Sequence, residues 1–206
     1  MSNRMDPRVV RTRRLLRNAL FDLLKERDIQ QVTIRDIAER AKVKRPTFYL
    51  HYTDKDAFVL QCISDILDEL RVAVGFDPPF AHDFAASEPH PVFVRMFRHI
   101  ADHYPIYSAL LVRNRIPAFA EGLLAVLHEF VQSGIDKTEP DDANLTANRE
   151  VIVKFVESAF LEVIVWWVEK GMPYSEENIA AQLMNLSLHG PYKRNPIRLE
   201  RRGSDS

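Results

Sequence analysis

Along the first third of the chain, apolar residues recur at helical spacing. Leu16, Ala19, Leu20, Leu23 and Leu24 sit at i, i+3, i+4, i+7 and i+8, which predicts a helix over about Arg8 to Arg27. A second helix, 33–40, is announced by Thr33-Ile34-Arg35-Asp36, a capping box with Asp in place of Glu. Its buried face is Ile34, Ile37, Ala38 and Ala41. The turn Ala41-Lys42-Val43 leads to a short third helix, about 45–51. The pattern Thr53-Asp54-Lys55-Asp56 then repeats the cap and starts a fourth. Val59, Cys62, Ile63, Ile66, Leu67 and Leu70 form its stripe, out to about Val74.

After residue 75 the texture changes. Residues 75–91 combine prolines with polar breaks and are expected to be a linker. Further helices are predicted over about 91–103, 105–113 and 117–133, then an acidic connection at 135–142. A long helix should run from about Ala143 to Lys170 and end at Gly171, a favourable C-cap residue. Another begins at Ser175 and reaches about Leu188. The tail, 191–206, lacks periodicity and is expected to be disordered. With no alternating strand pattern, the chain is predicted to be all-α. Its expected units are an N-terminal three-helix unit (1–53) and a larger helical domain (54–190).

Charge sharpens this division. Residues 1–52 hold 13 Lys or Arg against 6 Asp or Glu, a net of +7, whereas the remainder holds 15 against 23, a net of −8. A basic module joined to an acidic one is the distribution expected of a nucleic-acid-binding unit fused to a domain that binds none. The single cysteine, Cys62, excludes an intramolecular disulfide framework and falls on an apolar stripe, as inert packing would. The longest purely apolar run, residues 163–168, is far short of the roughly 20 residues needed to span a membrane. A soluble cytoplasmic protein with no membrane partner is expected. No phosphate-binding glycine loop, nucleophile elbow or HExxH motif occurs, so neither an enzyme nor a cofactor is expected.

The two short helices around 41–43 make a helix-turn-helix, whose second helix enters the major groove N-terminus first. Arg45, Pro46 and Tyr49 lie on its early, outward part, and Phe48 points inward as the anchor. Arg offers a bidentate fork to guanine, while Pro or Tyr can contact a thymine methyl or a sugar. Thr33, Thr47, His51, Tyr52 and Lys55 carry donors suited to phosphates. Arg35 and Lys44 place cations at helix starts, where they oppose the helix dipole. A bound phosphate reverses that sign, so the expected ligand is double-stranded DNA.

On these residues the stretch TIRDIAERAKVKRPTFYLHYTDKDAF resembles the DNA-binding region of TetR-type transcriptional regulators. The recognition helix is Thr47-Phe48-Tyr49-Leu50-His51-Tyr52, followed by Lys55. The later segments HIADHYPIYSALL and WWVEKGMPYSEENIAAQL are similar to the C-terminal regulatory region of one subgroup. The resemblance implies a homodimer whose last two long helices form a four-helix interface, with a cavity above the DNA-binding unit. Two positions depart from the pattern. Lys42 stands where Gly is usual, which predicts a turn of different shape, and Lys44 replaces the usual Ser cap.

In the regulatory half, Val151, Ile152, Phe155, Val156, Ala159, Phe160, Val163, Ile164 and Trp167 make a stripe too broad for one small domain to cover. A symmetric partner is the natural cover. Candidate effector-pocket residues are His99, His103, Tyr107, Phe119 and Trp166, alongside Tyr104, Arg113 and His128. His99 and His103 lie four residues apart on one helix, but with no third ligand placed beside them no metal site is expected. The mechanism expected is a dimeric repressor released from a palindromic operator by a small molecule. The alternative is a co-regulator on the same fold, controlled by a protein partner. An open apolar cavity favours the first and a filled core the second.

Overall fold

The computed structural model describes residues 6–75 and 91–189; the predicted tail and all of the predicted linker but its end residues, Gly75 and Pro91, lie outside them. The described residues form nine α-helices and no strand. They are α1 (Pro7–Leu24), α2 (Ile34–Arg40), α3 (Arg45–Tyr49), α4 (Lys55–Val74), α5 (Pro91–Asp102), α6 (Tyr104–Tyr107), α7 (Pro117–Thr138), α8 (Arg149–Glu169) and α9 (Glu176–His189). An all-α chain with an N-terminal helix-turn-helix and a larger helical C-terminal half is therefore the observed architecture.

Local chemistry sets most boundaries. Asp6 caps α1 by accepting from the Arg8 amide at 2.8 Å, with Pro7 at the first helical position. At α2 the capping box is complete: the Thr33 hydroxyl accepts from the Asp36 amide, and the Asp36 carboxylate accepts from the Thr33 amide. Asp54 caps α4 through the Ala57 amide at 2.8 Å. Gly171, at φ +71°, supplies the left-handed residue just past α8.

Two predicted limits moved. Helix α7 runs on through Thr138, and α8 begins only at Arg149, six residues later than its apolar pattern suggested. Asn148 accepts from the Glu150 amide and caps α8 there. Arg149 ties the preceding segment down by pairing with Asp136 at 2.6 Å and with Asp142. A further difference is at 108–113, where α6 continues as a π-helix rather than a regular turn of α-helix.

Packing places α4 at the centre. It lies against α5 and α7, α8 lies along α7, and α9 along α5. Gly122 on α7 faces Leu67 of α4 so closely that a Cβ there would sit 2.4 Å from the Leu67 side chain, which explains the small residue. Phe97 and Trp167 meet edge to face at 5.2 Å, and Phe93 joins Phe130 and Phe160. The interior of the C-terminal half is built on aliphatic side chains, with a cluster of aromatic rings between α5, α7 and α8. No helix among the described residues is long and apolar enough to cross a membrane.

Candidate nucleic-acid interface

The short helix α3 is held from beneath by one ring. Phe48 is fully buried and meets Tyr49, Tyr52 and Phe58 at centroid distances of 5.3–5.6 Å. A five-residue helix has little stability of its own, so this aromatic cluster orients it. The turn before it keeps the left-handed geometry usual for glycine, because Lys42 itself takes φ +56°. The expectation of a differently shaped turn is therefore corrected. Its hydrogen bonds, Val43 amide to Ala38 carbonyl at 2.9 Å and Lys42 amide to Glu39 carbonyl at 3.1 Å, close the loop, and the strain is carried at Lys42.

With Phe48 inward, the opposite side of α3 faces solvent. Lys44, Arg45, Pro46 and Tyr49 are exposed, with Tyr49 at 46%. Arg45 and Tyr49 form a unit: the guanidinium lies 5.7 Å from the ring centroid, and Nη2 donates to the Tyr49 hydroxyl at 3.2 Å. Lys44 is the N-cap residue and makes no side-chain cap, as its lack of an acceptor requires. Leu50, the C-cap residue, is 81% exposed on the same outward side, and sequence reasoning passed over it. The available signal was a large apolar residue two places beyond Phe48, hence on the far side of the helix.

The remaining candidates are partly engaged within the fold. Arg35 is exposed and pairs with Glu39 one turn on at 2.7 Å, a hydrogen bond that holds its pKa above the usual arginine value. The Thr33 hydroxyl is committed to the Asp36 cap, and that bond holds the Asp36 carboxyl below its usual range. Thr47 and His51 are half-buried. Tyr52 packs on Phe58 at 4.6 Å with the Arg13 guanidinium 5.8 Å from its ring, and burial pushes its phenol up to about 12. Lys55 differs most from its expected use. Its ammonium donates to the carbonyls of Ile29 and Val32 at 2.9 and 3.1 Å, tying the start of α4 to the turn that precedes α2.

The head is latched to the C-terminal half at two places. Asn114, just past the π-helix, accepts from the Ile29 amide at 2.7 Å, and Arg113 donates to the Lys25 carbonyl. Arg17 of α1 pairs with Glu69 of α4 at 2.5 Å, and Glu69 in turn faces His103 Nε2 at 3.7 Å. Of the candidate pocket residues, His99, His103, Tyr107 and Phe119 come together: the two imidazoles stack at 4.3 Å, and Tyr107 contacts both His99 and Phe119. No group of three metal-ligating side chains occurs with them or elsewhere among the described residues. Trp166 does not join this group. It is 40% exposed beside Tyr174 on the outer side of α8, because its neighbour Trp167 takes the inward position. Cys62 is buried, and burial pushes its thiol well above the usual range.

A short aromatic-anchored helix, presented outward after a tight turn and ringed with cations, defines a helix-turn-helix DNA-binding protein. Residues 16–62 match the model of bacterial regulatory proteins of the tetR family, and residues 87–189 match that of a transcriptional regulator C-terminal region. The chain belongs to the tetR family of transcriptional regulators. It is 29% identical over 178 residues to the uncharacterized HTH-type transcriptional regulator YxbF of Bacillus subtilis, a match covering 83% of this chain but only 43% of that relative. The chain thus spans less than half of that relative's length. Its fold is similar to the fatty acid degradation regulator FadR from Bacillus halodurans, at a TM-score of 0.66 and 16% identity over 93% of this chain and 100% of the other. FadR from Bacillus subtilis in complex with stearoyl-CoA has a TM-score of 0.63 at 15% identity, over 87% of this chain and 99% of the other.

Proposed function

We propose that this regulator is a homodimeric, cytoplasmic repressor that reads a palindromic operator and is released by a small-molecule effector. The observation that carries the DNA-reading part is the Arg45–Tyr49 pair, exposed on a helix whose own cap residue is a cation. Cations at a helix start work against folding, and an incoming phosphate turns them to advantage. Arg45 and Tyr49 then meet base edges, with Lys44, Pro46, Thr47 and His51 at the flanking backbone. Arg35 leaves Glu39 for a phosphate, while Thr33, Tyr52 and Lys55 hold the head in shape. On this reading residues 1–53 are the DNA-binding unit and 54–190 the regulatory one.

Dimerisation is supported by the outer face of α8, where Val151 (60%), Phe155 (70%) and Trp166 (40%) remain exposed although the opposite face is buried in the core. A two-fold partner covers that face and sets two heads about 34–36 Å apart, or a multiple of it. The small-molecule part draws support from the acyl-CoA bound by the Bacillus subtilis neighbour. A ligand among α5–α8 shifts α4 and with it the head spacing, which requires only different affinities for the two conformations. The co-regulator reading is favoured by one observation, the aromatic filling between α5, α7 and α8.

Selection of the purified protein on a random-sequence DNA pool tests the proposal. A palindromic consensus with two half-sites is the expected result. Weak, steeply salt-dependent binding without a consensus would remove the operator-reading function and promote the co-regulator.

A further inference from the structure

Where α4, α5 and α6 meet, the C-terminal half holds a buried polar pair. His99 is 7% exposed and Tyr107 0%, with their rings edge to face at 6.0 Å. Both His99 Nε2 and the Tyr107 hydroxyl are buried without a hydrogen-bond partner among the described residues. A buried polar atom left unpaired forfeits its hydration and gains nothing in return, and native folds retain few of them. Two on adjoining rings, inside an otherwise apolar core, point to a group that arrives from outside.

The surroundings limit what that group is. Phe119 lies against Tyr107 at 5.3 Å, giving a flat apolar wall. His103 stacks on His99, directs Nδ1 to the His99 carbonyl at 2.9 Å, and turns Nε2 toward Glu69. A carboxylate would face the carboxylates of Glu69 and Asp102, both close enough to act on His99, and a cation would give up its hydration to reach two uncharged groups. Burial, aided by the neighbouring His103, pushes the His99 imidazole down to about 4, and burial keeps the Tyr107 phenol un-ionised. At neutral pH the pair therefore offers one uncharged ring nitrogen and one hydroxyl, able between them to accept and donate.

We propose that His99 and Tyr107 form a buried subsite for the uncharged hydroxyl or carbonyl end of a flat, apolar effector. This rests on the small-molecule reading above. The subsite is wired to the head, because His103 faces Glu69 and Glu69 pairs with Arg17 of α1. A ligand that reorients His99 and its stacked His103 thus disturbs an ion pair joining α1 to α4.

The test uses the full chain and its Tyr107→Phe variant, with phenol and toluene as probes differing only by hydroxyl against methyl. Removing an unpaired hydroxyl should raise the apo melting temperature by about 2–4 °C. Wild type should bind phenol about tenfold more tightly than toluene, and the ratio should fall below about twofold in the variant. A variant that melts lower would mean the hydroxyl already has a partner in the folded chain, which overturns the subsite. Equal binding of the two probes, or binding of neither, overturns it as well. Operator binding by untreated wild type is measured in parallel. If it persists while the probes are not distinguished, the subsite alone fails, and if it is absent, the regulator reading fails independently.

Discussion

The two halves of this chain use aromatic residues in opposite ways. In the head, one ring, Phe48, is buried so that another, Tyr49, can stand in solvent beside Arg45. In the regulatory half, Phe97, Phe119, Phe130, Phe160 and Trp167 turn into the core with Phe93 packed against it, and Phe155 and Trp166 stay exposed on α8. Only the Phe48 side of the five-residue helix α3 is buried, and its other face is left to solvent. The larger half can close over its rings, and what is unusual there is polar: His99, Tyr107 and the fully buried carboxylate of Glu157. Burial raises the Glu157 carboxyl, but hydrogen bonds from Lys154 at 2.6 Å and His128 at 2.7 Å more than offset it and leave it lowered. The head thus leaves Arg45, Tyr49 and Leu50 in solvent, whereas the regulatory half encloses polar groups and exposes apolar residues only on outer faces such as that of α8.

The largest expected effect breaks the head from inside. Phe48→Ala empties the site on which α3 rests and should cost about 3–5 kcal/mol, removing operator binding through loss of structure. Tyr49→Ala, one residue on, should change stability by no more than about 0.5 kcal/mol yet weaken operator binding about tenfold to a hundredfold. Chemical denaturation with an operator titration on both variants checks the contrast. Comparable loss of stability in the two would mean that Tyr49 belongs to the core and reads nothing.

Acid should separate the halves by their titration windows. His99 ionises in the fold only near pH 4, against 6.5 for a free imidazole, so the unfolded chain takes up the proton first as pH falls. Stability contributed by neutral His99 is therefore complete above about 6.5 and declines as pH drops toward about 4. In the head, hydrogen bonds from Thr33 and from the Ala57 amide hold the Asp36 and Asp54 caps below the 3.8 usual for an aspartate. Their contribution is present above that value and lost only as pH falls through the lower folded ones. Both tryptophans lie on α8, so their fluorescence reports the regulatory half. Its urea midpoint should fall between pH 6.5 and 4, and His99→Asn should flatten that slope. An unchanged slope in the variant would assign the acid sensitivity to another group.

Much of this contrast is legible in the sequence wherever a local signal decides. The Thr33–Asp36 box fixes the start of α2, and the spacing from Val59 to Leu70 gives the buried stripe of α4. Inference weakens where a choice depends on contacts distant in the chain. The apolar pattern of α8 extends its prediction back to residue 143, because nothing local shows that Arg149 will reach Asp136 and Asp142 and hold those residues out of the helix. Lys55 has the chemistry of a phosphate contact, yet two carbonyls more than twenty residues away take its ammonium. Trp166 and Trp167 are equivalent by composition, and only the packing of α8 decides which faces in.

Lys42 gives the smallest and most discriminating effect, because the sequence marks it as a departure and the fold shows what the departure entails. At φ +56° a side chain with a Cβ costs on the order of 1 kcal/mol relative to glycine. Lys42→Gly should therefore stabilise the protein by about 0.5–1 kcal/mol, part of the relief being offset by the greater freedom of glycine in the unfolded chain. A residue that strains its own turn persists in a functional protein when it does something else, and this ammonium is exposed on the basic side of the head. If that use is a phosphate contact, Lys42→Gly should melt higher, bind every DNA sequence somewhat less tightly, and lower the slope of log affinity against log salt by about one. A variant that melts higher with an unchanged slope would leave the strain without a function and restrict the DNA-reading chemistry to α3 itself.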